Sequence, residues 1–332
     1  MSQRARRLDL IRVLCEHDGL AGWPVDLLRV VAAYVPVPVT GLLVRRISLD
    51  CPCPTPGTCG VGAIAVDEQE RVFVRFRICE ELVMVGSARG GAQVHVRERV
   101  GAGKSYGPGP MGAHANRLVQ WRPLWWRIIT HQTPDLTLLC DTPASGFENL
   151  ALDVVGGRGF AAYRPQRDAP WHSYSGRLDS PREWKMDGVL CADAAHQVYP
   201  MYSPWTRDVY MAEFPYDASK SASRGALEAP CRLQLEDGRW QAVPTPLEAF
   251  HVPLLDGEGF VYWVTERGCR VLDHADGSRA HTFSWIPGSV VQCGPQPDDV
   301  RPHWMTACVS AAGLLYVPET DARGTSYIAV YS

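Results

Sequence analysis

The sequence predicts an all-β protein with one short helical segment near its N-terminus. The first observation behind this is the stretch Gly259 to Gly277, which reads as strand, turn, strand, turn. Phe260 to Val264 is a β-branched and aromatic run, Glu266-Arg267-Gly268 has turn chemistry, Cys269 to Leu272 is a second apolar run, and Asp276-Gly277 is a hairpin signal. The second observation is that parts of this unit recur through the chain. The third is the 26 prolines and 30 glycines, as many short strands and turns require.

The helical expectation rests on residues 20 to 35, LAGWPVDLLRVVAAYV. Pro24 suits a first helical turn and Asp26 suits the positive end of the helix dipole. Trp23, Leu27, Leu28, Val31 and Tyr34 then form an apolar stripe at helical spacing, and Pro36 and Pro38 end the segment. The pattern Trp-Pro-x-x-Leu-Leu-x-x-Val-x-x-Tyr resembles the opening helix of an F-box, over about 16 residues. That resemblance implies a stripe that docks a ubiquitin-ligase linker protein; the plainer reading is an amphipathic cap on the domain that follows. The further helices of an F-box are not evident, because Thr40 to Leu49 already reads as a strand. The organisation expected is a helical segment at 1–40 and a β domain at 41–332.

From residue 62 the repeats begin. An apolar strand ends at a small or acidic residue, a turn follows, and an aromatic appears in a second strand. The pairs are Asp67 with Phe73, Asp153 with Phe160, Asp193 with Tyr199, Asp256 with Tyr262, and Ser310 with Tyr316. The offset is six in four of the five copies, and Gly157 lengthens the second. This register resembles the NHL type of β-propeller repeat, Gly-x-Ala-Val-Asp … Val-Tyr-Val-Ala-Asp … Arg-Val-x-Val-Phe, most closely at Gly62 to Val85 and Leu254 to Leu272. The resemblance implies a closed ring of four-stranded blades over residues 60 to 332.

The aromatics are spaced 87, 39, 63 and 54 residues apart. The first gap is two blades long, so a degenerate blade belongs at 118–140. The third gap is one blade plus an insertion near 217–229, with a hairpin at 231–243 around Asp237-Gly238. Six blades result, with seven and five as alternatives. Ring closure is expected to join Leu42 to Leu49 to the last blade, since closed rings protect strand edges.

Composition narrows the function. Hydrophobic residues make up 46% and charged residues 21%, with a net charge of −3. No global field favours nucleic acid or an anionic membrane. The basic residues are 30 Arg against Lys104, Lys185 and Lys220, a bias that reads first as GC-rich coding. No apolar stretch is long enough to span a bilayer, and the N-terminal residues lack a signal-peptide core. An intracellular protein with mostly reduced thiols is expected.

Motifs that resemble chemistry are incomplete. Cys51, Cys53 and Cys59 lie in a Pro-rich loop without the fourth ligand that structural zinc needs. Gly101-Ala-Gly-Lys-Ser105 lacks the first glycine of a phosphate loop and the helix that follows one. No Gly-x-Ser-x-Gly elbow and no His-Glu-x-x-His occurs. His172, His196, His251, His274, His281 and His303 are isolated. The aspartates that end the first strands are expected to bind turn amides. Related propeller lactonases hold a channel cation with Glu, Asn and Asp, whereas Asn116 and Asn149 are the only asparagines here. No metal or cofactor is expected. Segments just beyond the second strands should share one face, and they carry Phe76, Arg77, Tyr163, Arg164, Tyr202, Trp205, Arg207, Glu266 and Arg267, a composition of interface anchors. The reading is a non-catalytic binding or scaffold protein, specifically an adaptor, with a protein partner and no nucleic acid or membrane. The alternatives are a channel hydrolase or lactonase, and a structural component of a GC-rich large DNA virus.

Overall fold

The computed structural model describes Trp23, Pro24, Leu27, Val30 and residues 38–49, 61–76, 81–85, 94–97, 110–122, 127–144, 149–166, 169–190, 196–202, 209–215, 231–235, 239–243, 254–264, 268–275, 277–287, 290–291, 307–321 and 325–332. After β1 (Leu43–Ser48), the described residues form six antiparallel sheets in sequence order. Sheet I holds β2 (Val61–Val66), β3 (Val72–Phe76), β4 (Glu81–Val85) and β5 (Val94–Arg97). Sheet II holds β6 (Met111–His114), β7 (Arg117–Arg122), β8 (Arg127–Gln132) and β9 (Thr137–Pro143). Sheet III holds β10 (Asn149–Asp153), β11 (Arg158–Tyr163), β12 (His172–Arg177) and β13 (Lys185–Val189), with a 3-10 turn at Pro181–Glu183. Sheet IV holds β14 (His196–Tyr202), β15 (Val209–Pro215), β16 (Cys231–Gln234) and β17 (Trp240–Val243). Sheet V holds β18 (Leu254–Leu255), β19 (Phe260–Val264), β20 (Gly268–Asp273) and β21 (Arg279–Ser284). Sheet VI is built from β22 (Val290–Val291), β23 (Cys308–Val309), β24 (Leu315–Thr320), β25 (Ser326–Tyr331) and β1.

The inner strands touch in a ring: β2 with β6, β6 with β10, β10 with β14, β14 with β18, β18 with β23, and β23 with β2. This is a β-propeller. An inner strand has a sheet on each flank, so both of its faces are apolar, as in VGAIAV of β2, which is buried throughout. The outer strand β1 instead alternates between half-buried and exposed.

Six hydrophobic clusters fill the seams between successive sheets. Ala65, Phe73 and Met84 meet Leu118 and Leu136 between sheets I and II. Trp121 and Ile128 meet Leu150 and Trp184 between II and III. Ala162 and Trp171 meet Val198 and Met211 between III and IV. Tyr199 and Tyr210 meet Val261 and Trp263 between IV and V. Tyr262 and Cys269 meet Leu315 and Tyr331 between V and VI. Tyr316 and Ile328 meet Val61 and Val74 between VI and I. Each large side chain so buried contributes about 1.5–3 kcal/mol.

The turns after the inner strands bear out the reading of the aspartates. Asp67 Oδ1 accepts the amides of Gln69 and Arg71 at 3.0 and 2.9 Å. Asp256 Oδ1 accepts those of Glu258 and Phe260 at 2.8 and 2.9 Å. Asp153 Oδ1 accepts from Gly156 at 2.8 Å, and Ser310 Oγ from Leu314 at 3.3 Å. The fourth residue of the loop is left-handed, with φ of 56° at Glu70, 88° at Gly259 and 67° at Gly313. Sheet III has the longer loop, pairing Asp153 with Arg158 and placing Gly157 at φ 66°. In sheet II no aspartate ends the inner strand; Ala115 and Asn116, at φ 48° and 59°, make a two-residue hairpin of the I′ type.

One copy differs from expectation. The third repeat placed Tyr199 on a second strand, but β14 is the inner strand of sheet IV, and β15 is its second strand. The Asp-to-aromatic spacing fits there by coincidence: the run before Asp193 is β13, the outermost strand of sheet III. The expected helix at 20–35 falls almost wholly outside the described residues, and no complete helix is found among them there.

Closure joins β1 to β25, with Leu43 opposite Tyr331 and Ser48 opposite Tyr327. The Ser332 carbonyl accepts the amides of Thr40, Gly41 and Leu42. Val39, fully buried, donates its amide to the Tyr262 hydroxyl at 3.1 Å, and that hydroxyl donates to Asp256 Oδ2 at 2.6 Å. Glu319, also fully buried, accepts from the Tyr327 hydroxyl at 2.8 Å and from the Tyr331 hydroxyl. Burial, and beside it the Glu319 carboxylate, push the Tyr331 phenol up.

Two stability measurements check this account. Glu319→Ala strands two buried hydroxyls without their acceptor, at a cost of roughly 2–4 kcal/mol in urea unfolding; a loss under about 1 kcal/mol contradicts the role given to Glu319. A Cβ at Gly259 meets nothing within 4 Å. Gly259→Ala therefore costs only its left-handed backbone, about 1–2 kcal/mol, and a neutral result contradicts the turn assignment.

Candidate binding site in the central channel

Each inner strand leads towards the rim where its turn begins, so Asp67, Asn116, Asp153, Tyr202, Asp256 and Ser310 share one rim, the turn rim. Phe76, Arg122, Tyr163 and Val264 end second strands on the opposite rim. Along the axis runs a cavity of about 310 Å³. All six inner strands contribute to it: Ile64 to Val66, Met111 to His114, Leu150 to Asp153, Tyr199 to Tyr202, Leu254 with Leu255, and Cys308 with Val309. Its wall continues past β10 into Val154 and Val155, which places it towards the turn rim.

The polar side chains of the wall are engaged in the fold. His114 Nδ1 lies 3.3 Å from Glu68 Oε2. Asp153 caps its own turn. Tyr202 stacks on Phe160 with ring centroids 5.6 Å apart, and the Arg158 guanidinium lies 5.0 Å from the same Phe160 ring. Burial pushes the Cys308 thiol up to about 12, so at neutral pH it is a neutral thiol and a poor nucleophile. Among the described residues no group of His, Cys, Asp and Glu is arranged to hold a metal ion.

Of the interface residues expected from sequence on the propeller face, four are described. Phe76 is 1% exposed and belongs to the core between sheets VI and I. Arg164 is buried with its guanidinium 4.7 Å from the centroid of Trp171. Tyr163 is half-buried, edge-on to Tyr174 at 6.2 Å. These three sit on the opposite rim as expected, but packing occupies most of their surface. Tyr202 is a correction: it ends an inner strand, so it stands on the turn rim. Trp23 and Leu27 are 44% and 46% exposed. Leu28, Val31, Tyr34, Arg77, Trp205, Arg207, Glu266 and Arg267 lie outside the described residues, as do the cysteine loop at 51–59 and the glycine loop at 101–105.

Sequence reasoning missed a polar cluster in the seam between sheets I and II. Arg75 donates to Gln120 Oε1, and Gln120 Nε2 is 3.3 Å from His131 Nδ1. Arg75, Gln120, Arg122 and His131 are all buried. Burial first, then the Arg75 and Arg122 charges, lower His131 to about 4. The arginine inside the apolar run VFVRF was the available signal.

No protein-family model matches the sequence, and no curated protein matches it. Solved structures with similarity include a catalytically inactive virginiamycin B lyase from Staphylococcus aureus with quinupristin, at 8% identity and TM-score 0.49, covering 87% of this chain and 98% of that one. A streptogramin B lyase structure is similar at 8% identity and TM-score 0.48, covering 87% and 97%. A nidogen/laminin complex is similar at 14% identity and TM-score 0.45, covering 68% and 80%. The propeller assignment rests on the strand pairing and the ring of seams, not on these likenesses.

His131 makes stability depend on pH. Above about 6.5 it is neutral in both folded and unfolded chains; below that the unfolded chain takes up a proton that the folded one refuses until about 4. Relative to His131→Gln, the wild type should lose on the order of 2–3 kcal/mol between pH 7 and pH 4.5 in urea unfolding. Parallel curves for the two proteins contradict a buried neutral histidine.

Proposed function

We propose that this chain is a non-catalytic binding protein, a rigid propeller that presents its surface to a protein partner. The observation that carries the reading is the commitment of the turn-rim carboxylates. Asp67, Asp153 and Asp256 each accept backbone amides, and Tyr262 binds Asp256 as well. Groups so engaged hold turns together and are poorly placed for general acid or base work. Beside the mouth of the channel Val155 stands 69% exposed. Apolar side chains exposed around a rigid frame are the composition of a recognition surface.

The finer form of the reading is an adaptor, in which the stripe at 20–35 docks one partner and the propeller another. Its supports are the sequence pattern and the exposure of Trp23 and Leu27. Leu28→Asp separates the adaptor from the cap. For an adaptor, the melting temperature stays within about 2 °C, the range of a surface substitution. Binding to a purified helical ubiquitin-ligase linker protein is then lost. For a cap, burial of an unpaired charge lowers the melting temperature sharply. A wild type that fails to bind the linker ends the adaptor reading, and turnover of lactone or ester substrates by the purified chain ends the non-catalytic one.

A further inference from the structure

The channel has a property that binding of a protein partner does not use. Its volume of about 310 Å³ lies at the lower end of the range of small-molecule sites, about 300–1,000 Å³. Met111, Leu152, Leu254, Leu255 and Val309, all half-buried, supply apolar wall. The ring geometry supplies a second element. β2, β6, β10, β14 and β18 are terminal in their sheets, so one edge of each pairs with a second strand and the other faces the axis. Backbone N–H and C=O groups along those edges are strong hydrogen-bonding groups that a ligand on the axis can reach. The wall therefore combines apolar side chains with neutral hydrogen-bonding backbone, repeated around the axis.

Charge narrows the ligand further. The Asp153 carboxylate disfavours an anion, and no described Lys or Arg lines the cavity. His114 faces Glu68 rather than standing alone. An ion entering such a space loses hydration that the wall does not replace.

We propose that the channel binds an uncharged small molecule with an apolar body and one or a few amide, carbonyl or hydroxyl groups, which the strand edges hydrogen-bond. The apolar body displaces water from the side-chain wall, and its polar groups replace that water at the strand edges. The site shares Val155 with the channel mouth assigned to a protein partner, but dye binding is measured without any partner, so the two readings fail separately.

The test uses the full chain and the neutral dye Prodan, whose naphthalene body carries one ketone and whose emission shifts to the blue in an apolar site. The expected result is saturable binding at one site per chain, with a clear blue shift. Ala113→Phe, which adds bulk to the wall on β6, should weaken it at least 10-fold, a change of about 1.4 kcal/mol. Leu254→Arg, which places a charge in the wall, should do the same, so that the test survives if one variant fails to fold. Circular dichroism confirms which variants are folded. Leu138→Asp and Met186→Asp, on exposed outer strands 57% and 56% accessible, should leave binding unchanged. Absence of saturable binding by the wild type overturns the proposal. So does binding that the outer-strand variants abolish and the folded channel variants do not, because the dye then sits on the perimeter.

Discussion

A ring of radial sheets is held together by its seams, and the seams exist only if the ring is shut. Every sheet but the last is made from one continuous stretch of chain. Sheet VI is not, because its outer strand comes from residues 43–48 and its centre from 315–331. The pairing of β1 with β25 is therefore the constraint on which the other packing depends. It is reinforced beyond its ladder. The Ser332 carbonyl gathers three amides, Val39 is tied to Tyr262, and Glu319 holds the two tyrosines of β25. The approach to β1 is thus anchored in sheet V as well as sheet VI, so closure fixes two adjacent sheets at once.

Several buried polar groups inside this ring close a turn or bridge two sheets. Asp256 shows the tension. Burial pushes its carboxyl up, whereas the Tyr262 hydroxyl and the backbone amides of Phe260 and Glu258 pull it down. The net direction is upward, so as pH rises through its folded value the group withdraws some stability that it supplied in acid. Arg71 works between sheets. Its guanidinium binds Asp67 in its own turn and reaches Asn116 and Thr133 of sheet II. The same seam has an apolar part around Phe73 and Leu118 and a polar part around Arg75, Gln120 and His131.

Much of the architecture was legible because the repeat couples short apolar strands to a turn with fixed chemistry. Strands β19 and β20, the closure by β1, the hairpin of β16 and β17, and the long turn at Gly157 all lie where the residues placed them. The slip at Tyr199 has a physical source. The end of an outer strand and the inner strand after it also give a short apolar run, an acidic residue and an aromatic, so the spacing can lock onto β13 and β14 as readily as onto an inner and a second strand. The candidate site was less legible. Arg164 and Phe76 have interface composition, but Trp171 and the core between sheets VI and I claim them first. The channel was not visible at all, because strand edges rather than a motif build much of its wall.

The split origin of sheet VI also has a meaning in time. A chain made from its N-terminus can pair the strands of sheets I to V as each stretch appears, since their partners are near neighbours in sequence. Of the described strands β1 precedes the rest, yet its partner β25 is the last of them. Until Ser326–Tyr331 exists, the apolar residues of β2 have no sheet VI to cover them. Among the described strands, the earliest and the latest in sequence are thus the pair that shuts the ring.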